Sequence, residues 1–306
     1  MSGANLPTRQ SDQREDAALA AIAEVARCEA GLSIGRAKHS MLRARLARRL
    51  RILGLPDFPA YLAYLSAPAG GDERHHLVMA LTTNVSHFFR EPHHFGLLRM
   101  TVLPPLLRAA GAGLRVRLWS AGCAHGQEAY SLAMTILDLM PQAAARDVRI
   151  LATDIDANVL AKARRGRFPL TCRGEIPASA RSRFTKDAGF TKDAGSTKDA
   201  GSTKDAGRTF DIADEAKELI RFRQHNLHAA WPMQQRFDVI FCRNVLIYFN
   251  AAAQARLVER FAAALTPGGW LFLGHSEHIT DAARRVLVPV GATTFRRAPP
   301  LHADSQ

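Results

Sequence analysis

Four places in this 306-residue chain carry residue types and spacings that could do chemistry together. A turn of small residues, Ser120-Ala-Gly-Cys-Ala-His-Gly126, stands directly behind the apolar run Val116, Leu118, Trp119, and Glu128 lies just inside the helical pattern that follows. Asp154 ends the run Val148-Arg-Ile-Leu-Ala-Thr, and Arg243 with Asn244 end Phe237-Asp-Val-Ile-Phe-Cys. A glycine turn between strand and helix lets backbone approach a ligand closely, and a strand-end carboxylate can accept hydrogen bonds from both hydroxyls of a ribose. Gly122 and Gly126 lack the full G-x-G-x-x-G spacing, so the turn alone reads equally well as a plain tight connection that needs φ > 0. The charge is more telling. Glu128 would repel a diphosphate seated on the helix N-terminus, yet it suits a ligand that carries a cation. S-adenosylmethionine has a sulfonium, an ammonium and no phosphate, which favours it over a nicotinamide dinucleotide.

These positions need strands to carry them. Apolar runs at 116–119, 148–154, 237–244 and 270–274 alternate with helical patterns at 157–165 and 254–265, and 286–295 gives two last strands around Gly291. Such alternation predicts an α/β fold, a Rossmann-like, mostly parallel sheet with ligand at the carboxyl ends of its strands. Thr209 to Phe222 reads as a small antiparallel excursion before the sheet resumes. It follows four copies of a hexapeptide, FTKDAG twice and STKDAG twice, over 184–207. The copies are electrically neutral and poor in apolar residues, so they read as a flexible insert in an exposed loop. The expected organisation is a disordered tail over 1–14, a basic all-helical domain over 15–80, the sheet domain over 81–298 and a tail over 299–306. In the helical domain, Leu42, Leu46, Leu50 and Leu53 share one face of a helix, while Lys38, Arg45, Arg48 and Arg51 form a cationic ridge on the others.

Composition narrows the class. The net charge of +13 calls for an anionic partner or serves solubility. No run approaches the roughly 18 apolar residues of a membrane span, and the N-terminus lacks the apolar stretch of a secretion signal. Cys28, Cys123, Cys172 and Cys242 lie far apart, which predicts free thiols in a reducing, cytoplasmic setting, with Cys123 and Cys242 as small buried fillers. The pairs His75-His76 and His93-His94 have neighbours that should point to opposite sides and no carboxylate partner, so no metal is expected.

Five blocks in order, LTTNVSHFFREPHHF, WSAGCAHGQEAYSLAM, ILATDIDANVLAKARRG, FDVIFCRNVLIYF and LTPGGWLFLGHSE, resemble the CheR-type chemotaxis receptor glutamate O-methyltransferases. The leading GLSIGRAKHSMLRARLARRLRILGL is similar to that family's basic helical domain, so the likeness runs from about Gly31 to Arg297 apart from the insert. The resemblance implies a monomer that uses S-adenosylmethionine, leaves S-adenosylhomocysteine, and methylates glutamates on the cytoplasmic helical bundle of a chemoreceptor. It implies a cofactor site of Asn84, Ser86, Arg90, Gly122, Glu128, Asp154, Asn226, Leu227, Arg243 and Asn244. Arg90 and Tyr248 would serve the reaction centre, and Lys38, Arg45, Arg48 and Arg51 would meet the receptor. Gln127 and Ala129 replace a Glu and a Pro usual in the family, and His125 stands where a small residue is usual. The insert falls where the family has a small antiparallel subdomain that in some members grips a receptor's C-terminal peptide. Two rivals share the fold: a non-catalytic S-adenosylmethionine-sensing adaptor and a nucleic-acid methyltransferase. Arg243-Asn244-Val245-Leu246 disfavours the second, because amine-methylating DNA enzymes carry an Asn/Asp-Pro-Pro-Tyr/Phe motif at that strand end.

Overall fold

The computed structural model describes residues 6–190 and 207–299, and they divide into two compact units. The larger unit, 84–225, 231–246 and 255–306, is built on a seven-stranded sheet. Its strands are β1 (Val116–Ala121), β2 (Val148–Asp154), β6 (Ile220–Gln224), β7 (Phe237–Cys242), β8 (Leu265–Leu273), β9 (Leu287–Gly291) and β10 (Thr294–Arg297), in the order β6-β2-β1-β7-β8-β10-β9. The first five run parallel; β10 pairs antiparallel with β8 and with β9. The central strands are apolar on both faces, as buried parallel strands must be: Leu118, Trp119, Ile150, Val239, Ile240 and Phe241 are all fully buried. Phe241 and Phe272 stack across β7 and β8 with centroids 4.3 Å apart. Helix α7 (Gln127–Leu139) is buried on every side through its first eleven residues, which is why that segment carries so little charge. The mixed α/β expectation is borne out.

A second sheet, β3-β5-β4, is antiparallel and made from β3 (Arg167–Pro169), β4 (Thr185–Phe190) and β5 (Arg208–Ile212). The expected excursion over 209–222 therefore divides: 208–212 belongs to this small sheet, whereas 220–224 is already β6, parallel to β2. The first hexapeptide copy is not a flexible insert but a strand. Thr185 is buried, and its hydroxyl and the Asp187 carboxylate accept hydrogen bonds from Arg173 at 2.9 and 2.7 Å. The remaining copies, over 191–206, lie outside the described residues.

The smaller unit comprises 1–83, 226–230 and 247–254. Its helices are α1 (Leu6–Ala30), α2 (His39–Leu53), α3 (Phe58–Ser66) and α4 (Gly71–Leu81). Helix α1 begins at Leu6, so the disordered tail expected over 1–14 gives way to helix there; 1–5, like the expected C-terminal tail beyond Pro299, lies outside the described residues. The core is Leu19, Ile22, Leu42, Leu46, Tyr61, Leu65 and Leu77. Within it Glu73, 4% exposed, accepts hydrogen bonds from the Tyr61 hydroxyl at 2.7 Å and from Arg49. Removal of Arg49 or Glu73 would strand the other's charge, so this triad fixes how α2, α3 and α4 meet. All four cysteines are free, with Cys123 and Cys242 buried. Among the described residues no helix is long and apolar enough to cross a membrane.

Candidate functional site

The order β2-β1-β7 brings the turn after β1, Asp154 at the end of β2, and Arg243-Asn244 past β7 to one carboxyl edge. Strand order also reverses at β1, the position at which an α/β sheet opens a crevice. The amides of Gly122 and Cys123 both donate to the Thr153 carbonyl, at 2.8 and 2.9 Å, which clamps the turn onto β2. Gly122 has φ +80°, and a Cβ there would lie 2.4 Å from Cγ2 of Val245. Only glycine fits.

Asp154 is buried beside this turn. One carboxylate oxygen accepts from the Ala124 amide at 2.9 Å and the other from the Asp156 amide at 3.0 Å. Burial pushes its carboxyl above the usual range, and these two bonds oppose that rise. Asp156 caps helix α8 (Ala157–Arg165) through the Asn158 amide at 2.8 Å and accepts from the Asn84 side chain at 3.1 Å. The Asn84 carbonyl in turn faces Nδ1 of His125 at 3.1 Å. Asn84 and Asp154, far apart in sequence, thus join one polar group through Asp156. That acid went unassigned in the sequence although its place just before a helix is a capping signature.

Glu128 is 6% exposed and doubly held: Ser120 Oγ donates at 2.6 Å to one oxygen and Arg243 Nε at 2.7 Å to the other. Another nitrogen of Arg243 donates to the Arg90 carbonyl, and the guanidinium lies 5.5 and 5.4 Å from the ring centres of Phe95 and Phe241. The pair is therefore dry and neutral as a unit. Sequence reading missed Ser120, whose signal was only its place at the end of β1.

Arg90 sits between two non-glycine residues in the left-handed region, Phe89 at φ +51° and Glu91 at φ +55°. Such conformations cost about 1–3 kcal/mol each and persist where the surroundings over-determine them. Here Ser131 Oγ accepts from the Phe89 amide at 2.9 Å, and Glu175 accepts from the Phe88 amide at 2.8 Å. The Arg90 side chain has a single long contact, 3.5 Å to the Val85 carbonyl, and no carboxylate partner among the described residues. Ser86, between Asn84 and Arg90 in sequence, is half-buried.

The histidine expectation needs correction. The His93 and His94 rings do not point apart but lie 4.2 Å from each other, and the Glu91 carboxylate accompanies them with ligand atoms within 4.8 Å. Glu91 is already attended by cations and donors: Arg243 at 3.8 Å, and the amide and ring of His275 at 3.1 and 3.2 Å. Burial pushes the fully buried His94 down to about 4.

Asn226, Leu227 and Tyr248 fall in the other unit. There the Asn226 amide donates to the Glu29 carbonyl at 2.8 Å, Leu227 is buried, and the Tyr248 hydroxyl both accepts from the Thr83 amide and donates to its carbonyl, at 3.2 and 3.1 Å. Lys38, just before α2, and Arg48 and Arg51 along it are exposed. Arg45 leaves the ridge: it donates to the Leu81 carbonyl and Thr83 hydroxyl, each at 2.6 Å, and closes the end of α4.

The residues present fit the cofactor that the sequence suggested. Two buried acids, Glu128 and Asp154, flank the glycine turn. The family model for the CheR methyltransferase SAM binding domain matches residues 84–295, and that for the CheR methyltransferase all-alpha domain matches 17–82. A probable chemotaxis protein methyltransferase of Rhizobium etli is 41% identical over 88% of this chain and 95% of its own length. Chemotaxis protein methyltransferase 2 of Pseudomonas aeruginosa is 38% identical over 88% of each chain, and the Escherichia coli chemotaxis protein methyltransferase is 35% identical over 88% of this chain and 87% of its own.

Proposed function

Because the chain belongs to the CheR methyltransferase family and carries out S-adenosylmethionine-dependent methylation in chemotaxis, we propose that its methyl acceptor is a glutamate side chain on the cytoplasmic helical bundle of a chemoreceptor. The observation that carries this reading is Arg90, a half-buried guanidinium raised on a tightly bent backbone without a carboxylate partner of its own among the described residues.

The cofactor supplies a methyl group on a sulfonium. A glutamate carboxylate, with an ordinary pKa of about 4.3, is already the nucleophile at neutral pH and needs no general base. With the cofactor held by Glu128 and Asp154, an acceptor oxygen would take the methyl group as an ester and S-adenosylhomocysteine would be left. A negative and a positive charge disappear together, so a site with little water favours the step. What remains for the protein is aim. Arg90 would draw the acceptor carboxylate in and align one oxygen, while its flexible side chain keeps the ion pair loose enough to leave that oxygen reactive. Asp154 would take the ribose hydroxyls, and Glu128, steadied by Ser120 and Arg243, would face the cofactor's ammonium. Asn84, Ser86, Gly122 and Asn244 complete the cofactor assignment in this unit. Asn226, Leu227 and Tyr248 keep the roles that the resemblance gives them, Tyr248 toward the acceptor carboxylate.

The basic surface is assigned to the acidic receptor rather than to nucleic acid, and the enzyme to the cytoplasm as a monomer without bound metal. The test is mass-spectrometric mapping of methyl esters on a receptor cytoplasmic fragment incubated with enzyme and S-adenosylmethionine. Esters on glutamate support the reading; methyl groups on another residue type, or none, overturn it.

A further inference from the structure

Resting on that reading, we infer that Glu277 is a positioning residue for methyl transfer: its carboxylate straps the turn after β8 to the turn after β7 and so holds the wall of the site that Arg243 and Asn244 form. One oxygen of Glu277 accepts from the Asn244 amide at 2.9 Å and the Gly274 amide at 2.6 Å, and the other accepts from the Leu246 amide at 2.7 Å. The residue is 3% exposed and has no cationic partner among the described residues. Three converging N–H groups are what keeps such a buried carboxylate in place.

The strap acts on left-handed backbone. Asn244 has φ +59°, a region that few non-glycine residues enter and asparagine tolerates best. The fit is close on both sides: a Cβ at Gly274 would lie 2.8 Å from the Asn244 amide nitrogen and side-chain nitrogen, and 2.9 Å from the Glu277 carboxylate. The same turn reaches the opposite wall, because the amide and ring of His275 both contact the Glu91 carboxylate, next to Arg90. Arg243 closes the circuit on the Arg90 carbonyl. A carboxylate that touches no reacting atom therefore sets two segments that do.

Two variants separate positioning from folding. Glu277→Gln keeps the shape but turns an amide N–H toward a backbone N–H. Gly274→Ala keeps the carboxylate and pushes Asn244 with a methyl group. For each, melting temperature, calorimetric affinity for S-adenosylhomocysteine, kcat, and KM for a receptor fragment are measured. The expected result is a folded protein whose cofactor affinity or kcat falls about tenfold to a hundredfold, the scale of a misplacement near 1 Å, with receptor KM within about twofold of wild type. Folded variants with wild-type affinity and kcat overturn the positioning role. If Glu277→Gln does not fold, Gly274→Ala decides alone, loss supporting the role and wild-type behaviour overturning it. A wild-type chain that fails to bind S-adenosylhomocysteine overturns the functional reading, and the positioning role falls with it.

Discussion

Asp154 accepts two backbone N–H bonds and, as a carboxylate, still has lone pairs for a ligand. Asp154→Ala should weaken S-adenosylhomocysteine by about 1.5–3 kcal/mol in calorimetry, the range for hydrogen bonds to a charged group. Unchanged affinity would remove it from the site. Glu128 makes a different case, because its charge is matched inside the protein. Glu128→Gln leaves Arg243, itself buried, with only the more distant Glu91 carboxylate, at 3.8 Å, as counter-ion. Such breaks cost about 3–5 kcal/mol, while apolar replacement of both partners is often close to neutral. Urea unfolding should therefore show a large loss for Glu128→Gln and partial recovery in Glu128→Leu/Arg243→Met. Equal stability of the single variant and wild type would mean that the pair is solvated. Arg90→Ala should lower kcat by about a hundredfold with S-adenosylhomocysteine affinity changed far less; a wild-type kcat would move the reaction centre elsewhere.

At the scale of elements, helix α2 divides its arginines between two tasks. Arg45→Ala removes a charged donor from the Leu81 carbonyl and Thr83 hydroxyl and should cost about 1.5–3 kcal/mol of stability. Reversing Arg48 and Arg51 to Glu should leave melting temperature unchanged and raise receptor KM at low salt, since exposed charges act mainly through steering. A KM that ignores the reversal would assign the ridge to solubility. This division was illegible in the sequence, where Arg45, Arg48 and Arg51 look alike, because what separates them is the end of α4, remote in the chain. The strands were legible for the opposite reason. Runs such as 148–154 and 237–242 carry their burial in their own composition, so Gly122, Asp154 and Asn244 could be placed at strand ends without tertiary knowledge. Glu277 could not, since its three partners converge only when β7 and β8 lie side by side. His93 and His94 misled because local alternation says nothing of a short helix turning both rings toward Glu91.

For the molecule as a whole, charge and pH are the accessible levers. The surplus of +13 makes association with an acidic partner salt-sensitive over a Debye length of about 8 Å at physiological ionic strength. His94 supplies a pH dependence with a definite sign. Its folded-state value lies near 4, below the ordinary 6.5, because burial disfavours the imidazolium. The unfolded chain therefore binds more protons between those values, so stability contributed by neutral His94 is complete above about pH 6.5 and is lost as pH falls toward 4. Glu91 at 3.2 Å and Arg243 act on the same ring in opposite directions. Melting curves from pH 7 to 4.5 should fall more steeply for wild type than for His94→Gln. Parallel curves would show that His94 is solvated or already paired as a cation.

The strand β4 has a consequence for heredity. It is the first hexapeptide copy, and the residues that β5 pairs with are Thr185, Lys186, Asp187, Gly189 and Phe190. The second copy repeats the same letters from Phe190 onward, and a six-residue step is even, so it leaves the alternation of strand faces intact. Even the fully buried Phe184 has a chemical twin in Phe190. A gene that gained or lost one of the later STKDAG copies through replication slippage would leave the letters of β4 unchanged, so allele length at this locus can drift without altering the partner that β5 pairs with.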